Sequence, residues 1–214
     1  MLAHSELVQC LCSGAQKLGV ELQPNQSTAL LNLVNLLTKW GQAYNLTAIR
    51  NPMDMLGYLL LDSLSLMPFI QGTKILDLGT GAGFPGLPLA IMHPEWNFTL
   101  VDSNGKKIRF VRQAILELGL HNVQIIQSDI NILQTKIAFN TVMARALAPL
   151  SQLLRWAKPL LDTPGVLLAP KGHRIQTELA DLDASIVAPE WIQVYTLNIP
   201  YVPGQRSLIV VHTS

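Results

Sequence analysis

Three side chains stand at the ends of short apolar runs, where a sharp turn of the chain would leave them facing a ligand: Asp77 in ILDL, Asp102 in FTLVD and Arg145 in TVMAR. Asp77 is followed by four glycines within eight residues, Gly79, Gly81, Gly83 and Gly86. Glycine permits positive φ and close approach of a ligand to the backbone, and the free N–H groups at a following helix start favour an electron-rich or anionic group. Pro85 lies where a first-turn proline leaves such a helix intact. Residues 81–86, GAGFPG, also match the dinucleotide fingerprint G-x-G-x-x-G, with Asp102 placed to accept both hydroxyls of a ribose. A nicotinamide-dependent oxidoreductase is therefore one reading. Asp77 argues for another, because a carboxylate before the first glycine suits an ammonium better than a pyrophosphate, and no hydride-transfer partner or second nucleotide half follows. S-adenosylmethionine carries both an ammonium and a ribose diol, which two separated carboxylates fit. A carboxylate that merely bridges the turn backbone is the plainer alternative for Asp77.

The elements that must position these groups follow from periodicity. Residues 5–19 and 26–44 read as helices, the second with Leu30, Leu33, Leu37, Trp40 and Tyr44 on one stripe, and another helical stretch runs from Asn51-Pro52 to about Met67. From residue 73 strands near 74–78, 98–102, 122–127, 140–144 and 165–169 alternate with helices near 86–92, 105–118, 130–136, 150–160 and 173–183. Strands separated by helices pair in parallel through right-handed crossovers. Residues 191–198 and 207–212 are strand-like with only a Pro203-Gly204 turn between them, so the last strand is expected to run antiparallel. The expectation is an α/β sheet of Rossmann-like winding over 73–214 with a helical extension over 1–72, together one compact unit. Ligands of such sheets bind outside the carboxyl ends of the strands, where the winding reverses. That places Asp77, the glycine turn, Asp102, the residues from Ser128 to Asn131, Arg145 and Lys171 around one site.

Composition narrows the classes. Apolar residues make up 49% of the 214 residues and charged ones 14%, which indicates a large buried core rather than disorder. The longest apolar segment, residues 55–70, is broken by Asp62, Ser63, Ser65 and Pro68 and is short of the roughly 20 residues a membrane span needs. With no basic leader at the N-terminus, a cytoplasmic protein is expected. Cys10 and Cys12 lie two apart on a helix and cannot easily bridge, and the five histidines share no ligand spacing, so no metal is expected. Net charge is only +1, yet residues 104–174 hold ten basic and three acidic side chains. Lys106, Lys107, Arg109 and Arg112 share the helix after the second strand, and Lys171, His173 and Arg174 cluster after the fifth. These are candidates for phosphate contact with a polyanion, the alternative being a solvated charged face.

Residues 74–104 together with GKKIRFVRQ at 105–113, MARALAPL at 143–150, KWGQAYNLTAIR at 39–50 and PKG at 170–172 resemble the bacterial 16S ribosomal RNA guanine-N7 methyltransferase family, over nearly the whole chain. The resemblance implies a class I S-adenosylmethionine-dependent methyltransferase fold with an N-terminal helical extension. It also implies transfer of a methyl group to N7 of one guanine near the decoding site of the small ribosomal subunit. By matching position, Gly79 and Phe84 would contact the cofactor, beside Gly81 and Gly83 of the same turn; Ile130 and Asn131 would border its adenine, and Arg145 would close the site. The chain departs from the family at Leu59, where a histidine is common, and at Asn131, where a glutamate is common. A monomer is expected.

The residues suit such a transfer. Guanine N7 has an in-plane lone pair and no proton, so attack on a sulfonium methyl needs alignment and electrostatic support rather than a general base. Carbon-5 pyrimidine methylation needs a thiol, and both cysteines lie far upstream. Methylation of exocyclic amines usually brings an Asn-Pro-Pro-aromatic turn, where this chain has RALAP. Arg145 is the one candidate for direct support, to cofactor, phosphate or guanine O6; a structural partner for a carboxylate is the alternative.

Overall fold

The structure, a computed structural model, describes residues 4–172, 175–182 and 187–213. Among these residues the chain runs α1 (His4–Lys17), α2 (Pro24–Tyr44), α3 (Pro52–Met55), a π-helical turn Leu56–Leu61, α4 (Asp62–Leu64), β1 (Lys74–Leu78), α5 (Gly86–Met92), β2 (Asn97–Asp102), α6 (Gly105–Leu118), β3 (Val123–Gln127), β4 (Phe139–Met143), α7 (Leu150–Ala157), β5 (Leu161–Lys171), α8 (Ile175–Ala180), β6 (Ile192–Leu197) and β7 (Arg206–Thr213). Local chemistry sets several boundaries. Asn104 caps α6 by accepting the N–H groups of Lys106 and Lys107, and Gly119 ends it in the left-handed region. At the start of α2, Gln23 and Gln26 form a reciprocal capping box.

The seven strands form one sheet in the order β3-β2-β1-β4-β5-β7-β6. β1 to β5 are parallel, while β7 runs antiparallel to both β5 and β6. The winding reverses between β1 and β4, so the ends of these two strands frame the crevice expected to hold a ligand. Asp77 pairs with Met143 in the last shared register position, which brings the glycine turn and Arg145 side by side.

One hydrophobic cluster joins the extension to the sheet: Leu30, Leu33 and Leu37 of α2 and Leu60 and Leu61 of the π-turn share it with Ile75, Leu100 and Phe110. α5 lies inside it with all seven residues buried. A helix without a polar face needs cover on every side, and α2 and α4 both contact α5 while the sheet closes it from β2. The other face of the sheet packs on α7 through Leu150, Leu153 and Leu154.

Three readings of the sequence are corrected. The helix expected at 130–136 is one 3-10 turn, Ile130–Ile132. Asp129 accepts the N–H and the side-chain amide of Asn131, a local bond that competes with helix, and Ile132 and Ile137 are exposed, so no apolar stripe sustains one. The stretch 52–67 is not one regular helix but contains the π-turn. β5 is longer than expected at both ends, since Leu161 already pairs with Phe139 of β4 and the pairing with β7 continues to Lys171. Among the described residues no helix is long and apolar enough to cross a membrane.

Candidate active site

The glycine turn is held by the two carboxylates that flank it. Oδ2 of Asp77 accepts the Thr80 hydroxyl at 2.7 Å and the Gly86 N–H at 2.9 Å. Oδ2 of Asp102 accepts the Gly81 N–H at 2.9 Å, and its Oδ1 accepts the Asn104 N–H at 2.8 Å. The bridging role considered for Asp77 is thus present. It does not use the whole group, because Oδ1 of Asp77 is buried with no hydrogen-bond partner. An orphaned buried carboxylate oxygen is costly and calls for a cationic or donor group. Burial raises the Asp77 carboxyl to about 6, against the opposing pull of Thr80, Gly86 and Arg145.

Gly81 and Gly83 both have positive φ, 63° and 87°, for different ends. A Cβ on Gly83 would strike the Leu87 side chain, so this glycine serves packing. A Cβ on Gly81 would meet nothing nearer than Lys107 Nζ at 3.9 Å and would project into open space. Gly81→Ala is therefore expected to remain folded, with a strain of about 1 kcal/mol, yet to bind S-adenosylhomocysteine at least about tenfold more weakly. Calorimetry beside a thermal melt checks this, and equal affinity would show that no ligand approaches the turn there.

The turn opens on a cleft of about 1260 Å³. One wall is Gly79 to Ala82 with Phe84; a second is Asp102 to Asn104 with Lys107; a third is Arg145 to Pro149; and the helical extension closes it with Leu46, Thr47, Ile49, Tyr58, Leu59 and Asp62. Arg145 bridges the last two. Its Nη1 donates to the Tyr58 carbonyl and to Asp62 Oδ2, both at 3.0 Å. Tyr58 lies within the π-turn, a feature frequent at functional sites.

Not every expected residue comes to this cleft. Ile130 and Asn131 are not among its lining residues, nor is Gly83, and Asp77 lies buried behind the turn at 1% exposure rather than in the wall itself. Asn131 is exposed and accepts the Trp156 indole N–H at 3.0 Å. Lys171 does line the cleft but turns inward, its Nζ 2.8 Å from the Ala148 carbonyl and 2.7 Å from Glu178 Oε2, with its side chain only 9% exposed. Glu178 also accepts the Leu150 N–H at the start of α7, so this ion pair braces the cleft rim and leaves Lys171 little reach toward a phosphate. Lys106, Arg109 and Arg112 are exposed on α6. His173 and Arg174 lie outside the described residues. Asp62 and Tyr58 were missed as site residues; the available signal was a carboxylate interrupting an otherwise apolar helical run.

A family model described as rRNA small subunit methyltransferase G matches residues 26–208. The chain belongs to this family. Ribosomal RNA small subunit methyltransferase G of Methylococcus capsulatus is 45% identical over 195 residues, covering 91% of this chain and 93% of that protein. The namesake in Alteromonas mediterranea is 38% identical, with 98% of each chain covered. Among solved structures the chain resembles TrmN from Thermus thermophilus, at a TM-score of 0.56 and 18% identity, over 81% of this chain and 53% of that one. It also resembles a precorrin-6y C5,15-methyltransferase from Geobacter metallireducens, at a TM-score of 0.54 and 12% identity, over 80% and 92%. At such identities these two show the shared fold alone. In this member of the rRNA small subunit methyltransferase G family Gly79, Phe84 and Arg145 line the cleft, and Leu59 is a buried part of its wall.

Proposed function

We propose that this protein transfers the methyl group of S-adenosylmethionine to N7 of one guanine in 16S ribosomal RNA, near the decoding site, acting in the cytoplasm as a monomer in which segments 1–72 and 73–214 work as one unit. The observation that carries the reading is the orphaned Asp77 Oδ1 beneath an open glycine turn in a chain of this family. The residues fit the donor: Asp77 suits its ammonium, Gly81 admits it against the backbone, and Asp102 retains lone pairs for a ribose diol. When bound, the donor supplies an electrophilic methyl on a sulfonium.

What the chain itself contributes is position and field. The cleft exceeds the roughly 300–1,000 Å³ of an ordinary small-molecule site, leaving room for a nucleotide beside the donor. Arg145, fixed by Tyr58 and Asp62, faces this space, and Lys107 stands near the turn. N7 loses no proton on attack, so the site needs no base within reach. N7 in a continuous A-form helix is sealed in a narrow groove, so the target must be looped out or displaced from its stack.

The decisive test maps N7-methylguanine in small-subunit RNA from cells with and without this protein. The mark is expected to vanish and to return on complementation; its persistence would end the proposal. The exposed α6 cations supply a second expectation. Combined Lys106→Ala, Arg109→Ala and Arg112→Ala should weaken RNA binding and flatten its log–log salt dependence by about 2–3, while S-adenosylhomocysteine binding holds. An unaltered slope in a filter-binding titration would mean that this face is only solvated.

A further inference from the structure

The Asp62–Arg145 pair has more hydrogen-bonding capacity than its fold contacts use. Oδ2 of Asp62 takes Arg145 Nη1 at 3.0 Å. Among the described residues Asp62 Oδ1 and Arg145 Nη2 have no hydrogen-bond partner, and both side chains line the cleft. Their side chains are 13% and 24% exposed, so the pair is already largely withdrawn from water. A partly buried ion pair is poor evidence of stabilisation, since desolvation offsets much of the attraction. Something other than stability should retain a carboxylate in the apolar run Leu59, Leu60, Leu61, Leu64.

Resting on the guanine-N7 reading above, we propose that Asp62 is the base-reading residue of the site, accepting the N1–H and 2-amino group of the target guanine while Arg145 donates to O6. Guanine presents an acceptor followed by two donors along its Watson–Crick edge, and an arginine beside an aspartate presents the complementary donor and acceptor in one row. Adenine reverses the pattern, placing its amino group against the guanidinium and its bare N1 against the carboxylate, so it is rejected by two unmatched polar contacts. A displaced base is read on this edge, and with Arg145 on O6 alone N7 remains clear. The staple to the Tyr58 carbonyl holds the guanidinium in place before the base arrives, which lowers the ordering cost of recognition.

The test uses small subunits reconstituted with guanosine or inosine at the mapped position. Inosine keeps O6, N1–H and N7 but lacks the 2-amino group. The wild-type protein should methylate guanosine faster by about tenfold, the worth of one charged hydrogen bond. Asp62→Asn should bring the two substrates within about twofold of each other, and Asp62→Glu should restore part of the preference. A residue that only fixes Arg145 would slow both substrates alike and leave their ratio unchanged. Should Asp62→Asn turn over too slowly to measure, the ratio is taken from equilibrium binding of the two particles with S-adenosylhomocysteine present. Equal rates on both substrates for the wild type, or an unaltered ratio in Asp62→Asn, would overturn the assignment. Absence of N7-methylguanosine from the wild-type reaction on guanosine would instead end the functional reading on which it rests.

Discussion

Arg145→Ala is expected to reduce methyl transfer by at least about 100-fold while leaving a cooperatively folding protein. The size follows from what Arg145 supplies. In a reaction without proton transfer, alignment and electrostatic support are most of the catalysis, and losing one preorganised donor commonly costs about 10²–10³. The cost to the fold is smaller. The Tyr58 carbonyl and Asp62 lose a partner, but both border an open cleft where water can replace it, so about 1–2 kcal/mol is expected. Arg145→Lys should not rescue turnover, because an ammonium cannot serve the Tyr58 carbonyl, Asp62 and a third acceptor in one plane. Single-turnover transfer of labelled methyl to small subunits, read beside a chemical denaturation curve, separates the two effects. Unchanged turnover would reduce Arg145 to the structural partner that the sequence also allowed.

The second large effect concerns Asp77 and has opposite signs for stability and function. Its carboxyl is raised from 3.8 to about 6, chiefly by burial. Because the folded-state value lies above the unfolded one, the group opposes folding where it is ionised. The penalty, about 3 kcal/mol, is fully present above pH 6, shrinks as the pH falls from 6 toward 4, and is absent below the unfolded value. Asp77→Asn removes it. Its carbonyl oxygen can still take the Thr80 hydroxyl and the Gly86 N–H, while its amide occupies the place of Oδ1 without an acceptor. A net gain of about 1–2 kcal/mol for the ligand-free protein at pH 7.5 is expected after that offset. Binding of S-adenosylhomocysteine should fall at least about tenfold, because the site then offers an amide where the ligand brings an ammonium. In the wild type the same affinity should hold above about pH 6.5 and weaken below pH 6 as Asp77 takes up a proton in the free protein. Melting curves from pH 5 to 8 with and without ligand read all three. A lower melting point with unaltered affinity would make Asp77 a brace for the turn and nothing more.

These two residues also mark how far the sequence could be read. Asp77, Asp102 and the glycines were legible because turn, strand end and helix start are local events, fixed by φ preferences and alternating apolar runs. The parallel direction of the first five strands followed from the helices between them, whereas their order in the sheet did not. The partners of Arg145 and Lys171 were not legible. Arg145 bonds Asp62, 83 residues away, and no periodicity in either segment records that distance. Lys171 sits in a basic cluster by sequence, yet its side chain faces Glu178, one turn into a helix that begins after it. Around Ile130 the apolar content suggested a helix, while the Asp129 side chain imposed a turn that composition does not reveal.

One consequence concerns how the molecule is made. α5 is apolar on every side and is buried between α2, α4 and the sheet. A growing chain delivers α2 before α5, and α5 before the strands that complete its surroundings. Leu30, Leu33 and Leu37, all fully buried in the finished molecule, must therefore wait uncovered during synthesis. A half-made chain carries an adhesive surface that only its own later segments can hide. Pauses in translation before α5 and α6 are complete would thus favour aggregation or chaperone capture.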